Sequence, residues 1–184
     1  MRWCVDMKDL TRALPQMGIL LAVAVIAGYV EMMIPADLII PGIKLGIANC
    51  VILFILYRAG FRAAVIISIL RTVIIAFLFT SPSVLIYSLS AAAVSLIVMT
   101  LLKASDRFTI YGVSAAGGIS HNMTQLLIAA AVMLNIGAGP ERIIFFYLPV
   151  LIISGTAAGL FNAFTADLLI KRIPHKEDNK CTHI

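Results

Sequence analysis

Residues 63–79 read AAVIISILRTVIIAFLF. Outside Ser68, Arg71 and Thr72 every side chain in the stretch is apolar, and a bilayer core needs a helix of about 20 such residues. The stretch therefore predicts a membrane-spanning helix with an arginine near its middle. A charge at that depth costs about 2.5–3.5 kcal/mol on insertion scales, so it faces a bundle interior or a cavity.

Similar runs lie on either side. Ala13–Ile34 is the first, ended by Pro35, Asp37, Pro41 and Gly42, with residues 35–42 read as a loop. Leu45–Tyr57 is the second and is short of a full span: tilted, re-entrant, or extended past Lys44 with that side chain snorkelling. Arg58–Arg62 is a charged turn before the third run. Val84–Leu102, Ile110–Leu134 and Ile143–Ile170 are the fourth, fifth and sixth, and Pro149 is expected to kink the last. The runs are continuous, not alternating over about 10 residues, which separates them from barrel strands.

The composition agrees. Of 184 residues 61% are hydrophobic and 12% charged, with a mean hydropathy of +1.04. A soluble domain carries roughly 25% charged residues. The expected fold is all-α and integral to the membrane: a cytoplasmic segment 1–12, a six-helix transmembrane domain 13–170 and a cytoplasmic tail 171–184. The first run is too long for a signal-peptide core, which spans about 7–15 residues.

The net charge of +5 does not point to nucleic acid, because the cations are scattered between apolar runs. They sort by side instead. With the N-terminus in the cytoplasm, eleven Lys and Arg fall inside: Arg2, Lys8, Arg12, Arg58, Arg62, Lys103, Arg107, Lys171, Arg172, Lys176 and Lys180. Only Lys44 and Arg142 fall outside. Both termini are therefore expected in the cytoplasm.

The sequence has no Walker A motif, HExxH, GxSxG or DDxxD, and its three cysteines stand far apart. No cofactor, no metal site and no independent enzyme is expected. What remains is a polar set in the outer half of the bundle: Lys44, Asn49, Arg71, His121, Asn122 and Gln125, with Glu31 ending the first helix on the same side. His121 and Gln125 are one turn apart on one face. Two readings stand side by side. One is a site for a small molecule bearing a carboxylate or phosphate, which an arginine fork suits. The other is a buried network in which Arg71 pairs with Glu31 or with carbonyls. Gly117-Gly118 reads as close helix packing or a local unwinding. Gly18 with Ala22, Ala24 with Gly28, and Gly155 with Gly159 have the spacing that lets helices approach closely. They serve internal packing or, on the first helix, docking to another membrane protein.

Pro41-Gly42-Ile43-Lys44-Leu45-Gly46-Ile47-Ala48-Asn49, Gly117–Gln125 (GGISHNMTQ) and Tyr147–Leu151 (YLPVL) resemble the Gx transporter family, also labelled heptaprenyl diphosphate synthase component I. The resemblance covers nearly the whole chain. One departure is Ser90-Ala91-Ala92-Ala93, where the family is richer in glycine. The family label implies an accessory role beside a soluble prenyl diphosphate synthase. The family is also similar to the S components of energy-coupling factor transporters. That similarity implies a multi-pass protein of the bacterial plasma membrane that binds a small-molecule substrate from outside. It also implies docking, through Gly18, Ala22, Ala24 and Gly28, onto a transmembrane coupling subunit driven by ATPases, and a loop over the ligand that maps to Ile34–Lys44.

Overall fold

The computed structural model describes residues 7–33, 46–79, 82–135 and 141–172. These form six helices: α1 (Met7–Met33), α2 (Ile47–Arg58), α3 (Phe61–Phe79), α4 (Pro82–Ala104), α5 (Ile110–Asn135) and α6 (Glu141–Arg172). Each expected run is a helix. α1 begins at Met7, so part of the expected N-terminal segment is helical, and α6 runs through Pro149 as one element. The loop expected at 35–42 lies outside the described residues.

Among the described residues four helices are long and apolar enough to cross a bilayer: Pro15–Met33, Phe61–Phe79, Leu85–Ala104 and Ile144–Arg172. α5 is long enough at 26 residues, but His121, Asn122 and Gln125 dilute its centre. α2, at 12 residues, is only about 18 Å long and cannot cross the core alone.

Five helices close a ring in the order α2, α3, α4, α5, α6 and back to α2, and α1 lies over the α2–α3 groove. α2 touches α1, α3 and α6, and Ala48, Cys50, Val51, Ile52, Leu53, Ile55 and Leu56 are all buried. A short helix apolar on every side is stable only as the filling of a bundle. Neighbours complete its lower end. Gly60, at a φ of 87° that suits glycine, donates its N–H to Ile55 O at 3.1 Å. Lys103 donates to Leu56 O at 2.7 Å while lying over the Tyr57 ring, and Arg58 donates to Ile170 O. These contacts gather the C-terminal ends of α2, α4 and α6 at one end of the bundle. The Tyr29–Phe79 ring contact joins α1 and α3 at the other.

The bundle is lined with small residues and faced with large ones. Ala24, Ala64, Ala91, Ala163 and Ala166 are fully or almost fully buried, whereas Ile26, Phe77, Phe145 and Ile153 are exposed. Exposed apolar surface of this extent needs a hydrocarbon solvent. α5 and α6 approach most closely, through Gly118 against Gly155 and Gly159 against Ser114 and Ala115. Ser114 Oγ donates to Gly159 O at 2.6 Å, and on the α4 side Ser95 Oγ donates to Gly117 O at 2.8 Å. α5 continues unbroken through Gly117-Gly118, so of the two readings of that pair close packing is the one observed.

Candidate functional site

α2 begins inside the bundle, not at its end. Gly46 stops the helix there with a φ of 71°, in the left-handed region. Its helix start leaves N–H groups without intrahelical acceptors, and Glu31 of α1 supplies one. Gly46 N–H donates to Glu31 Oε1 at 2.6 Å, and Ala48 N–H reaches Oε2 at 3.5 Å. A carboxylate also complements the positive end of the helix dipole. The first turn closes with Asn49 N–H donating to Gly46 O at 2.7 Å.

Arg71 of α3 reaches this turn. It is 8% exposed, and its Nη2 donates to Asn49 Oδ1 at 3.4 Å. That bond is long, and Arg71 Nε is buried without a partner. Glu31 acts on Arg71 electrostatically but forms no ion pair with it within 4.0 Å. The expected alternative of an Arg71–Glu31 pair is thus met only at a distance, because the carboxylate caps α2. The outcome is a buried guanidinium that, among the described residues, commits one of its five donors to a long bond and leaves Nε unpaired.

The α5 residues are placed differently. α5 packs on α4 and α6, and α3 on α1, α2 and α4, so α3 and α5 are not adjacent in the ring. Their depths nonetheless agree: Arg71 lies about 15 Å along α3 and His121 about 17 Å along α5. His121 and Gln125 are half-buried. Asn122 is buried and tied to α6, its Nδ2 donating to Leu151 O at 3.1 Å and Ser154 Oγ at 3.3 Å. The structure therefore joins Asn49 with Arg71, sets the α5 residues across the ring at similar depth, and commits Asn122 to holding α5 against α6. Lys44 lies outside the described residues.

The small residues of α1 divide between two faces. Ala24 is fully buried and Gly28 packs against Ile75, so both serve this chain's own bundle. Gly18 and Ala22 are exposed, and a side chain added at Gly18 would meet nothing within 4 Å. Only this second pair remains open to a partner.

One described side chain of the site is absent from the sequence reading. Asn162 of α6 is 4% exposed, and its Nδ2 would lie 2.9 Å from a Cβ placed on Gly46. Its signal was available, since an amide within an apolar run is as anomalous in kind as Arg71. The length of the sixth run hid it.

The family model described as heptaprenyl diphosphate synthase component I matches residues 20–169. The chain belongs to that family. The match takes in Glu31, Asn49, Arg71, the α5 group and Asn162, so the polar set lies within the family domain. No curated protein and no solved structure matches the chain.

Gly46 carries a direct test of the geometry. Gly46→Ala must hold a Cβ at positive φ, which costs about 1–2 kcal/mol, and must also displace Asn162. We expect unfolding in mild detergent to shift by about that amount. Native-like stability would mean that α2 does not start in a left-handed turn.

Proposed function

We propose that the chain is the substrate-capture subunit of a small-molecule importer in the bacterial plasma membrane. Both termini are cytoplasmic, and the Gly46 end of α2 opens outward. The subunit binds an anionic or amphipathic metabolite through Arg71 and Asn49. Lys44, His121 and Gln125 contribute further contacts to the ligand, and Asn122 holds α5 in place. Energy comes from a separate ATPase module reached through a transmembrane coupling subunit, as in the S components of energy-coupling factor transporters. Gly18 and Ala22 offer the docking face.

The single observation that carries this reading is Arg71: a guanidinium 8% exposed whose one hydrogen bond to the described residues is 3.4 Å long, with the nearby carboxylate committed to α2. A purely structural arginine at this depth is surrounded by acceptors, because an incompletely paired buried charge is costly. An anion arriving from outside completes its partners. The test is loss of ligand binding in Arg71→Gln with the folded bundle retained.

A second reading follows from the family's description: a non-catalytic accessory subunit of heptaprenyl diphosphate synthase. An apolar groove between α3 and α4, lined by Val65, Ile69, Leu89, Leu96 and Ile97, has the chemistry of a seat for a hydrocarbon chain. Co-purification separates the two readings. When the tagged full chain is solubilised from its native membrane, the first expects a transmembrane subunit with paired ATPases to elute with it. A soluble prenyl diphosphate synthase in their place would overturn the first and support the second.

A further inference from the structure

Among the described residues Asn162 forms none of the hydrogen bonds that hold the bundle together. Its Oδ1 is buried and has no partner. Around it α6 is built of apolar and small residues: Leu160 and Phe161 face outward, while Ala163 and Ala166 are fully buried. An alanine or leucine would fill that position without leaving an acceptor unpaired, and burying an unpaired polar atom is costly. Packing therefore gives no reason for an asparagine here.

Its place on α2 supplies one. Asn162 lies against Gly46, and Gly46 begins the turn that ends at Asn49. Asn49 in turn receives Arg71. The orphaned acceptor and the under-committed cation thus flank the same turn of α2, whose pitch is about 5 Å. One pole of the site donates and the other accepts.

We infer that Asn162 is a specificity residue of the Arg71 site, accepting a hydrogen bond from a hydroxyl or ammonium group next to the ligand's anionic group. This rests on the capture reading above and narrows its substrate class to small acids of the hydroxy-acid or amino-acid type. A bare carboxylate satisfies Arg71 and leaves Asn162 unpaired. So does the diphosphate of a prenyl ester, whose oxygens are almost entirely acceptors. A site whose buried acceptor is left empty discriminates against such a ligand.

The test uses the purified full chain in detergent and three probes of similar size: acetate, glycolate and glycine. Glycolate or glycine is expected to bind about tenfold more tightly than acetate, the ratio set by pairing or orphaning one buried acceptor. Asn162→Leu should erase that preference, bringing the three probes to within about twofold of one another. Asn162→Asp, which keeps the acceptor, should retain it for glycine. If the native chain binds all three equally and Arg71→Gln weakens all three, Asn162 holds only water, and this inference falls while the capture reading stands. If no probe binds to either the native chain or Arg71→Gln, the anion site fails and the inference with it. Should Asn162→Leu not fold, the native preference over acetate decides alone.

Discussion

Arg71→Gln is expected to lose anion binding by about a hundredfold while the bundle stays folded and becomes no less stable. The first half follows from what a charge-assisted fork contributes. Truncating one partner of a buried charged pair costs about 2–5 kcal/mol, and about 3 kcal/mol is a factor of more than 100 in Kd. The second half follows from how little the bundle asks of this arginine. Among the described residues its hydrogen bonding is one bond of 3.4 Å to Asn49, and α2 is capped by Glu31 without it. Removing a charge from bilayer depth relieves about 2.5–3.5 kcal/mol on insertion scales. Glutamine ends where Arg71 Nε lies and gives up the contact with Asn49 Oδ1, but that is a single bond already long at 3.4 Å. Arg71→Lys should be intermediate, because an ammonium is a point charge without the planar fork. The measurements are a dissociation constant for glycolate and a melting curve for the same detergent preparation. Loss of binding accompanied by loss of fold would return Arg71 to the scaffold and remove the main support for a capture subunit.

How far the sequence led can be judged from particular residues. Arg71 was legible because a lone charge in an apolar run has only two explanations, and both place it inside. The half-length of α2 was legible too, since Leu45–Tyr57 is too short to span. The sequence could not show where that helix starts relative to its neighbours. The start depends on Gly46 adopting a left-handed φ and on Glu31 reaching it from fifteen residues away. Neither is a local property of the sequence. Glu31 therefore read as the end of one helix, when it is also the cap of the next.

The small residues show the same boundary. Four-residue spacing identified Gly155 and Gly159 as one face of α6, and that face is in use. Equal spacing on α1 left the pairs Gly18 with Ala22 and Ala24 with Gly28 open alike to internal packing or to docking. A helix turns 100° per residue, which sets the two pairs on different sides, and the structure gives one side to the interior and the other to the surroundings. Spacing shows that a helix has a close-packing face. The identity of the neighbour comes only from the fold.

The second large effect belongs to Gly118→Val. A Cβ on Gly118 would run into Gly155 O, one on Gly155 would lie 2.9 Å from Gly118 C and O, and one on Gly159 would lie 2.6 Å from Ala115 Cα and Ser114 O. All of these obstacles are backbone, so no rotamer change relieves them and the helices must separate. Overpacking of a rigid contact costs about 1–3 kcal/mol and occasionally more. Separation also stretches Ser114 Oγ to Gly159 O and the Asn122 bonds to Leu151 and Ser154, each worth about 0.6 kcal/mol within a membrane. The total is about 3 kcal/mol or above, a large share of the stability of an ordinary domain, so the variant is expected to accumulate poorly and to unfold at much lower denaturant. Gly18→Val is the matched control. Nothing lies within 4 Å of its added Cβ, so the isolated chain should keep native stability, and any loss of a co-purifying membrane subunit in that variant then reports on a partner at the exposed face of α1. Equal stability of Gly118→Val and the native chain in a denaturant titration would show that α5 and α6 do not meet backbone to backbone.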